Sequence, residues 1–178
     1  MADETRGKFI TMTCRYLETK PQVRAAAIKF INEKTGKKPD ELDPDGWYPA
    51  ELVTHTFDLL TEHSNAIIAK SVIKLFGRKI YPTFKTTGGI LPPVQTPQSM
   101  LKFEADGYLL SLRGPNVKPR TFIESKPNNI VIQADMPPGY PSEFMEGVYL
   151  GILEMCGFPS GQVSYENRAG HAVFNIKW

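Results

Sequence analysis

The chain has 178 residues, with 21 basic and 19 acidic side chains and a net charge of +2, a balance that excludes a strongly basic nucleic-acid binder and an acidic tail protein. A hydrophobic content of 41% with 11% aromatics excludes intrinsic disorder, and the length is that of one ordinary domain able to bury a core. No apolar run approaches the ~18–20 residues of a membrane span; the polar start (Ala2, Asp3, Glu4, Thr5) has no secretory-signal pattern, and two cysteines in such a chain point to reduced thiols in the cytoplasm.

Residues 8–18 place Phe9, Thr13, Tyr16 and Leu17 at helical spacing. Pro21 suits a first helical position, Val23, Ala26, Ala27, Phe30 and Ile31 continue an apolar stripe, and Gly36 is a stop. After a polar stretch from Lys37 to Gly46, Pro49 opens a helix carrying Leu52, Thr56, Leu59 and Leu60. Ser64 is the expected cap of the next helix, with Ile68, Val72, Leu75 and Phe76 as its face and Gly77 as its end. From Pro82 to Pro97 the chain is rich in Pro, Thr and Gly, which predicts the longest loop of the molecule and a candidate lid. Thr96 and Pro97 then start a helix reaching Arg113, with Leu101, Ala105, Tyr108, Leu109 and Leu112 on one face, ended by Gly114 and Pro115.

Beyond that point the hydrophobic period falls toward two. Residues 120–125 and 129–135 flank a Pro127–Asn128–Asn129 turn, a hairpin pattern. A helix at about 141–156 shows Phe144, Val148, Ile152 and Met155 on one face, and Gly147 and Gly151 leave another side without bulk, open to a neighbouring backbone. A second hairpin pairs 161–167 with 171–177, where Ala172, Phe174 and Ile176 alternate with polar or outward residues. The order predicts an α+β fold: a helical part over about 1–95, then a helix and an antiparallel β-β-α-β-β part over about 96–178, in a single domain spanning 1–178.

Catalytic and metal chemistry leave no signature. His55, His63 and His171 do not cluster, no Cys-x-x-Cys or Gly-x-Ser-x-Gly occurs, and Gly88–Gly89 is followed by Ile-Leu-Pro-Pro rather than by a helix. Cys14 and Cys156 read as core or boundary residues. Five bases without an acid (Lys70, Lys74, Arg78, Lys79, Lys85) suggest a solvated basic face or a docking patch. Methionine and aromatic residues are abundant enough to line an adaptable pocket. Met100, Phe103, Tyr108 and Leu109 of the 96–113 helix, with Tyr81 and Phe84 from the long loop, are the candidate ligand-binding residues.

Four stretches carry a family resemblance: Gly7-Lys8-Phe9-Ile10, Trp47-Tyr48-Pro49-Ala50-Glu51-Leu52, Leu75-Phe76-Gly77-Arg78, and Tyr140-Pro141-Ser142-Glu143-Phe144-Met145-Glu146-Gly147 running on to Gly151 and the hairpin that ends Phe174-Asn175-Ile176-Lys177-Trp178. In these and in the order of its elements the chain resembles the heme–nitric oxide/oxygen binding (H-NOX) superfamily. That superfamily also includes vinyl-4-reductase-type small-molecule-binding domains and TRAPP-type tethering subunits. The Trp-Tyr-Pro and Phe-x-x-Gly-x-x-x-Gly stretches also resemble an uncharacterised bacterial family of myxobacteria and their relatives.

The resemblance implies a sensory or regulatory domain, but this sequence departs from the heme-binding pattern. The helix over 96–113 has no histidine, and the second strand reads Gln133-Ala134-Asp135-Met136-Pro137 where heme-binding members have Tyr-x-Ser-x-Arg. The expectation is therefore a non-enzymatic domain without a cofactor or metal, binding a small apolar ligand or signalling to a protein partner. The alternative is a dimerising scaffold like the TRAPP subunits, supported by the lean Gly147/Gly151 face and the basic run. A third, enzymatic reading needs carboxylates such as Asp135 and Glu143 to meet in space.

Overall fold

The computed structural model describes residues 2–87 and 89–178; Met1 and Gly88, the first glycine of the Gly88–Gly89 pair, lie outside the described residues. The elements are β1 (Glu4–Arg6), α1 (Gly7–Tyr16), α2 (Pro21–Thr35), β2 (Trp47–Pro49), α3 (Glu51–Glu62), α4 (Ala66–Thr86), α5 (Pro97–Ser111), β3 (Leu112–Arg113), β4 (Thr121–Lys126), β5 (Asn129–Ala134), α6 (Ser142–Met155), β6 (Gln162–Arg168) and β7 (His171–Lys177). The expected α+β order holds. Gly36 ends α2 at φ +69°, donating its N–H to Asn32 O at 2.8 Å.

Two apolar cores form. One gathers Ile10, Leu17, Ile31, Leu52, Phe57 and Phe76 between α1 to α4. The other lies between α5, α6 and a four-stranded antiparallel sheet of order β4-β5-β7-β6. Ile130 and Ile132 pair with Ile176 and Phe174, so the alternation of β5 and β7 puts one sheet face wholly into that core. Phe144 packs against both cores.

A second sheet, order β2-β1-β3, is absent from the sequence reading because strands of two or three residues show no period. It absorbs the Trp-Tyr-Pro stretch: the guanidinium groups of Arg6 and Arg113 lie 3.8 and 4.3 Å from the centre of the Trp47 ring.

The largest departure concerns α4. Its cap is Asn65, whose side chain accepts from the Ile68 N–H at 2.9 Å, rather than Ser64. The helix does not stop at Gly77; it continues through Pro82 to Thr86, so the expected loop of 82–97 shrinks to about 87–96. Gly77 is present for packing. A Cβ there would strike the carbonyl of Phe144 on α6, one at Gly147 would strike the carbonyl of Lys74, and one at Gly151 that of Arg78. The two helices therefore cross at backbone distance. Pro82 has no N–H to offer the carbonyl four residues earlier, and that carbonyl, Arg78 O, is the one facing Gly151.

The basic run lies along α6. Lys70 pairs with Glu143 at 2.8 Å, Lys74 with Glu146, and Arg78 Nε donates to Glu154 Oε2 at 2.9 Å, so three of the five bases pair with the acidic side of α6 while staying partly exposed to solvent. Lys79 lies over the Tyr16 ring and Lys85 donates to Gln95.

Gly147→Ala is expected to destabilise the fold by ~1–3 kcal/mol, since a backbone carbonyl must move. Gly107→Ala, in α5 with nothing nearer its new methyl than Tyr81 Oη at 3.9 Å, is expected to stabilise by ~0.5–1 kcal/mol. Denaturant unfolding of both variants checks the pair of signs.

Candidate ligand-binding cavity

A cavity of about 280 Å³ lies where α1, the end of α4, α5 and the start of α6 meet. Phe9 and Met12 come from α1, Ile80, Tyr81 and Phe84 from α4, and Phe103 and Tyr108 from α5. Met136 and Tyr140 close it from the segment after β5, with Phe144, Met145 and Val148 from α6. Tyr81 and Phe103 meet edge to face at 6.3 Å. Because α4 continues past Gly77, Tyr81 and Phe84 reach the cavity on a helix rather than on a loop. Gly89 folds back on Phe84, its N–H donating to Phe84 O at 2.9 Å.

Of the six candidate residues, Tyr81, Phe84, Phe103 and Tyr108 line this cavity. Met100 and Leu109 do not. Met100 is fully enclosed in the sheet-side core, and Leu109 is 41% exposed on the outside of α5. The cause is a rotation of the helix face. At 100° per residue, Met100, Glu104 and Tyr108 make one stripe, and Leu109 lies a further 100° round. The predicted face of Leu101, Ala105, Tyr108, Leu109 and Leu112 is centred between Tyr108 and Leu109 and does not include position 104.

Glu104 is in fact 4% exposed, and its partner Arg120, just before β4, is 8% exposed. Arg120 Nη2 donates to Glu104 Oε1 at 3.4 Å and reaches Met145 Sδ at 3.5 Å, while the guanidinium carbon sits 3.7 Å over the Tyr108 ring. Glu104, Tyr108 and Arg120 all line the cavity. Glu104 Oε2, Arg120 Nε and Nη1, Tyr108 Oη and Tyr149 Oη have no hydrogen-bond partner among the described residues. Sequence reasoning missed both members of the pair. The available signal was an acid between apolar residues four before and four after it, Met100 and Tyr108; Arg120 carried none.

Burial raises the Glu104 carboxyl above its ordinary value, against the pull of the Arg120 charge. Burial also raises the phenols of Tyr81, Tyr108 and Tyr140, which keeps them as neutral hydrogen-bonding groups. No histidine or cysteine lines the cavity among the described residues. No group of three or more His, Cys, Asp or Glu side chains among them is placed to hold a metal ion. Burial pushes the Cys14 thiol up to about 11, and Cys156 rises for the same reason. Asp135 and Glu143 are engaged by different lysines, Lys118 and Lys70. No helix among the described residues is long and apolar enough to cross a membrane.

No family model matches the chain, and no curated protein does. Solved structures do. The Fe(II) unliganded H-NOX protein from K. algicida superposes with a TM-score of 0.69 at 13% identity, over 97% of this chain and 95% of that one. The H-NOX protein from S. oneidensis in the Fe(II)NO ligation state gives 0.60 at 15% identity, over 94% and 97%. An H-NOX variant from T. tengcongensis gives 0.61 at 13% identity, over 97% and 96%. The chain therefore has an H-NOX-like fold.

Two measurements probe the buried pair. Arg120→Met leaves Glu104 uncompensated and is expected to cost ~3–5 kcal/mol, whereas the double change Glu104→Leu with Arg120→Met costs less than the single one. Denaturant unfolding of the four proteins in the cycle reads the coupling. The second concerns pH. A folded carboxyl titrating above its unfolded 4.5 contributes most below pH 4.5 and loses that contribution as pH rises through its folded value. The unfolding free energy of the wild type minus that of Glu104→Gln is expected to decline as pH is raised from 4.5.

Proposed function

We propose that the protein is a non-enzymatic sensory or regulatory domain that holds a small, largely apolar molecule in this cavity, without heme ligation, and signals its occupancy to a protein partner. The observation that carries the reading is the cavity itself. It opens partly to solvent and, at about 280 Å³, is close to the ~300–1,000 Å³ of small-molecule sites and similarly lined by aromatic and aliphatic groups. Its donor set supports the heme-free part. An iron porphyrin takes an axial imidazole, thiolate or phenolate, or a thioether beside an imidazole; the cavity has the thioethers of Met12, Met136 and Met145 but no imidazole or thiolate among the described residues, and burial disfavours the phenolates. The raised thiols and the separately paired carboxylates support the non-enzymatic part.

The scaffold reading has less to support it: the lean Gly147/Gly151 face is filled by α4 of the same chain, and three of the five bases of the basic run pair with α6.

Thermal unfolding in the presence of medium-chain alcohols, amides and a porphyrin tests the proposal. An apolar ligand at one hundred times its dissociation constant is expected to stabilise by about 2.7 kcal/mol, and Gly107→Leu, which puts a side chain into the cavity, is expected to abolish that gain. The ligand reading is withdrawn if no class stabilises the wild type. A coordinated-heme absorption spectrum on porphyrin addition removes the heme-free part.

A further inference from the structure

Resting on the cavity reading, we infer that the ligand carries a neutral amide-type head, one carbonyl and one N–H, seated against Arg120 and Glu104, with its apolar body among Phe9, Phe84 and Phe103. The cavity is lined mostly by apolar side chains; Lys8 and Asp106, which also line it, are exposed to solvent, so its buried charges are those of Arg120 and Glu104. At their end of the cavity the groups without partners converge: Arg120 Nε and Nη1 are donors, Glu104 Oε2 is an acceptor, and Tyr108 Oη is either. Each belongs to a residue more than nine-tenths buried. Buried donors and acceptors in native proteins are ordinarily paired, so this end is complete only when an occupant both accepts and donates.

Charge decides among polar heads. Arg120 and Glu104 already neutralise each other at 3.4 Å. A carboxylate head leaves a net negative charge buried beside Glu104, and an ammonium head leaves a net positive charge beside Arg120. Both are costly in a low-dielectric interior. An ester or ketone accepts from Arg120 and gives Glu104 Oε2 no donor, leaving it only the neighbouring Tyr149 hydroxyl. An amide matches the set without adding charge: its carbonyl accepts from the guanidinium, and its N–H donates to the carboxylate.

Titration calorimetry with octanamide, methyl octanoate and octanoate at pH 7.5 tests this. Octanamide is expected to bind about 10–100-fold more tightly than methyl octanoate, the worth of one hydrogen bond to a charged group, and more tightly than octanoate. Glu104→Gln strips the compensating charge from Arg120, so the preference is expected to invert toward octanoate. Should that variant unfold, Glu104→Met with Arg120→Met keeps an apolar cavity and is expected to bind the amide and the ester equally. Equal binding of amide and ester by the wild type overturns the inference while leaving the cavity reading in place. Tighter binding of octanoate overturns it too. Failure of all three probes, together with failure of the apolar screen above, removes both.

Discussion

The crossing of α4 and α6 sets the geometry on which the rest of the molecule depends. Three glycines and three main-chain carbonyls meet there with no side chain between them. Helices at such a distance forfeit side-chain burial at the contact and gain close backbone packing with Cα–H···O approaches. The ion pairs from Lys70, Lys74 and Arg78 to α6 flank this seam and fix its register. Exposed pairs of this kind contribute little energy individually, so their role here is alignment. With α6 seated on the sheet by Tyr149, Ile152 and Leu153, the crossing dictates the course of α4. That course delivers Tyr81 and Phe84 to the cavity wall.

The cavity and the buried polar pair are consequences of one choice. A residue of ordinary size and apolar character at position 104 would extend the Met100–Tyr108 stripe and close the core. The chain instead places a carboxylate there and supplies a guanidinium from 16 residues further on. A lone buried charge is intolerable, a paired one merely expensive. The remaining cost is visible as partnerless polar atoms at one end of an oily chamber. Positions that break the local rules of packing in this way are where binding sites are ordinarily found.

Much of the fold is readable from the residues alone. The hairpins follow from strict alternation in Ile130–Ile132–Ala134 and Ala172–Phe174–Ile176, and α6 from its apolar stripe and two glycines. What escapes is whatever tertiary contact decides. Gly77 and Pro82 are helix breakers by local propensity, yet α4 runs through both because the crossing with α6 needs a bare backbone at 77 and tolerates the missing donor at 82. Four of the six candidate site residues lie on the cavity, since aromatic residues at helical spacing mark a face well. Leu109 lies beyond the Met100–Glu104–Tyr108 stripe on the outside of α5, and Met100, though on that stripe, is taken up by the sheet-side core. Arg120 stands at the start of the predicted 120–125 strand, and no local pattern connects it to position 104.

The small sheet has a different consequence. Thr5 is fully enclosed and forms part of the cavity wall, and Glu4 meets Arg113 Nε at 2.6 Å across 109 positions of sequence. Joining such distant points restricts the entire intervening loop, an entropic penalty that grows only slowly with length but is large from the outset. Strands of two and three residues cannot meet it by themselves. They endure because the helices between them already hold the two ends side by side. Amide exchange at Thr5 and Leu112 therefore gauges the integrity of the whole molecule, although both residues sit in its smallest element.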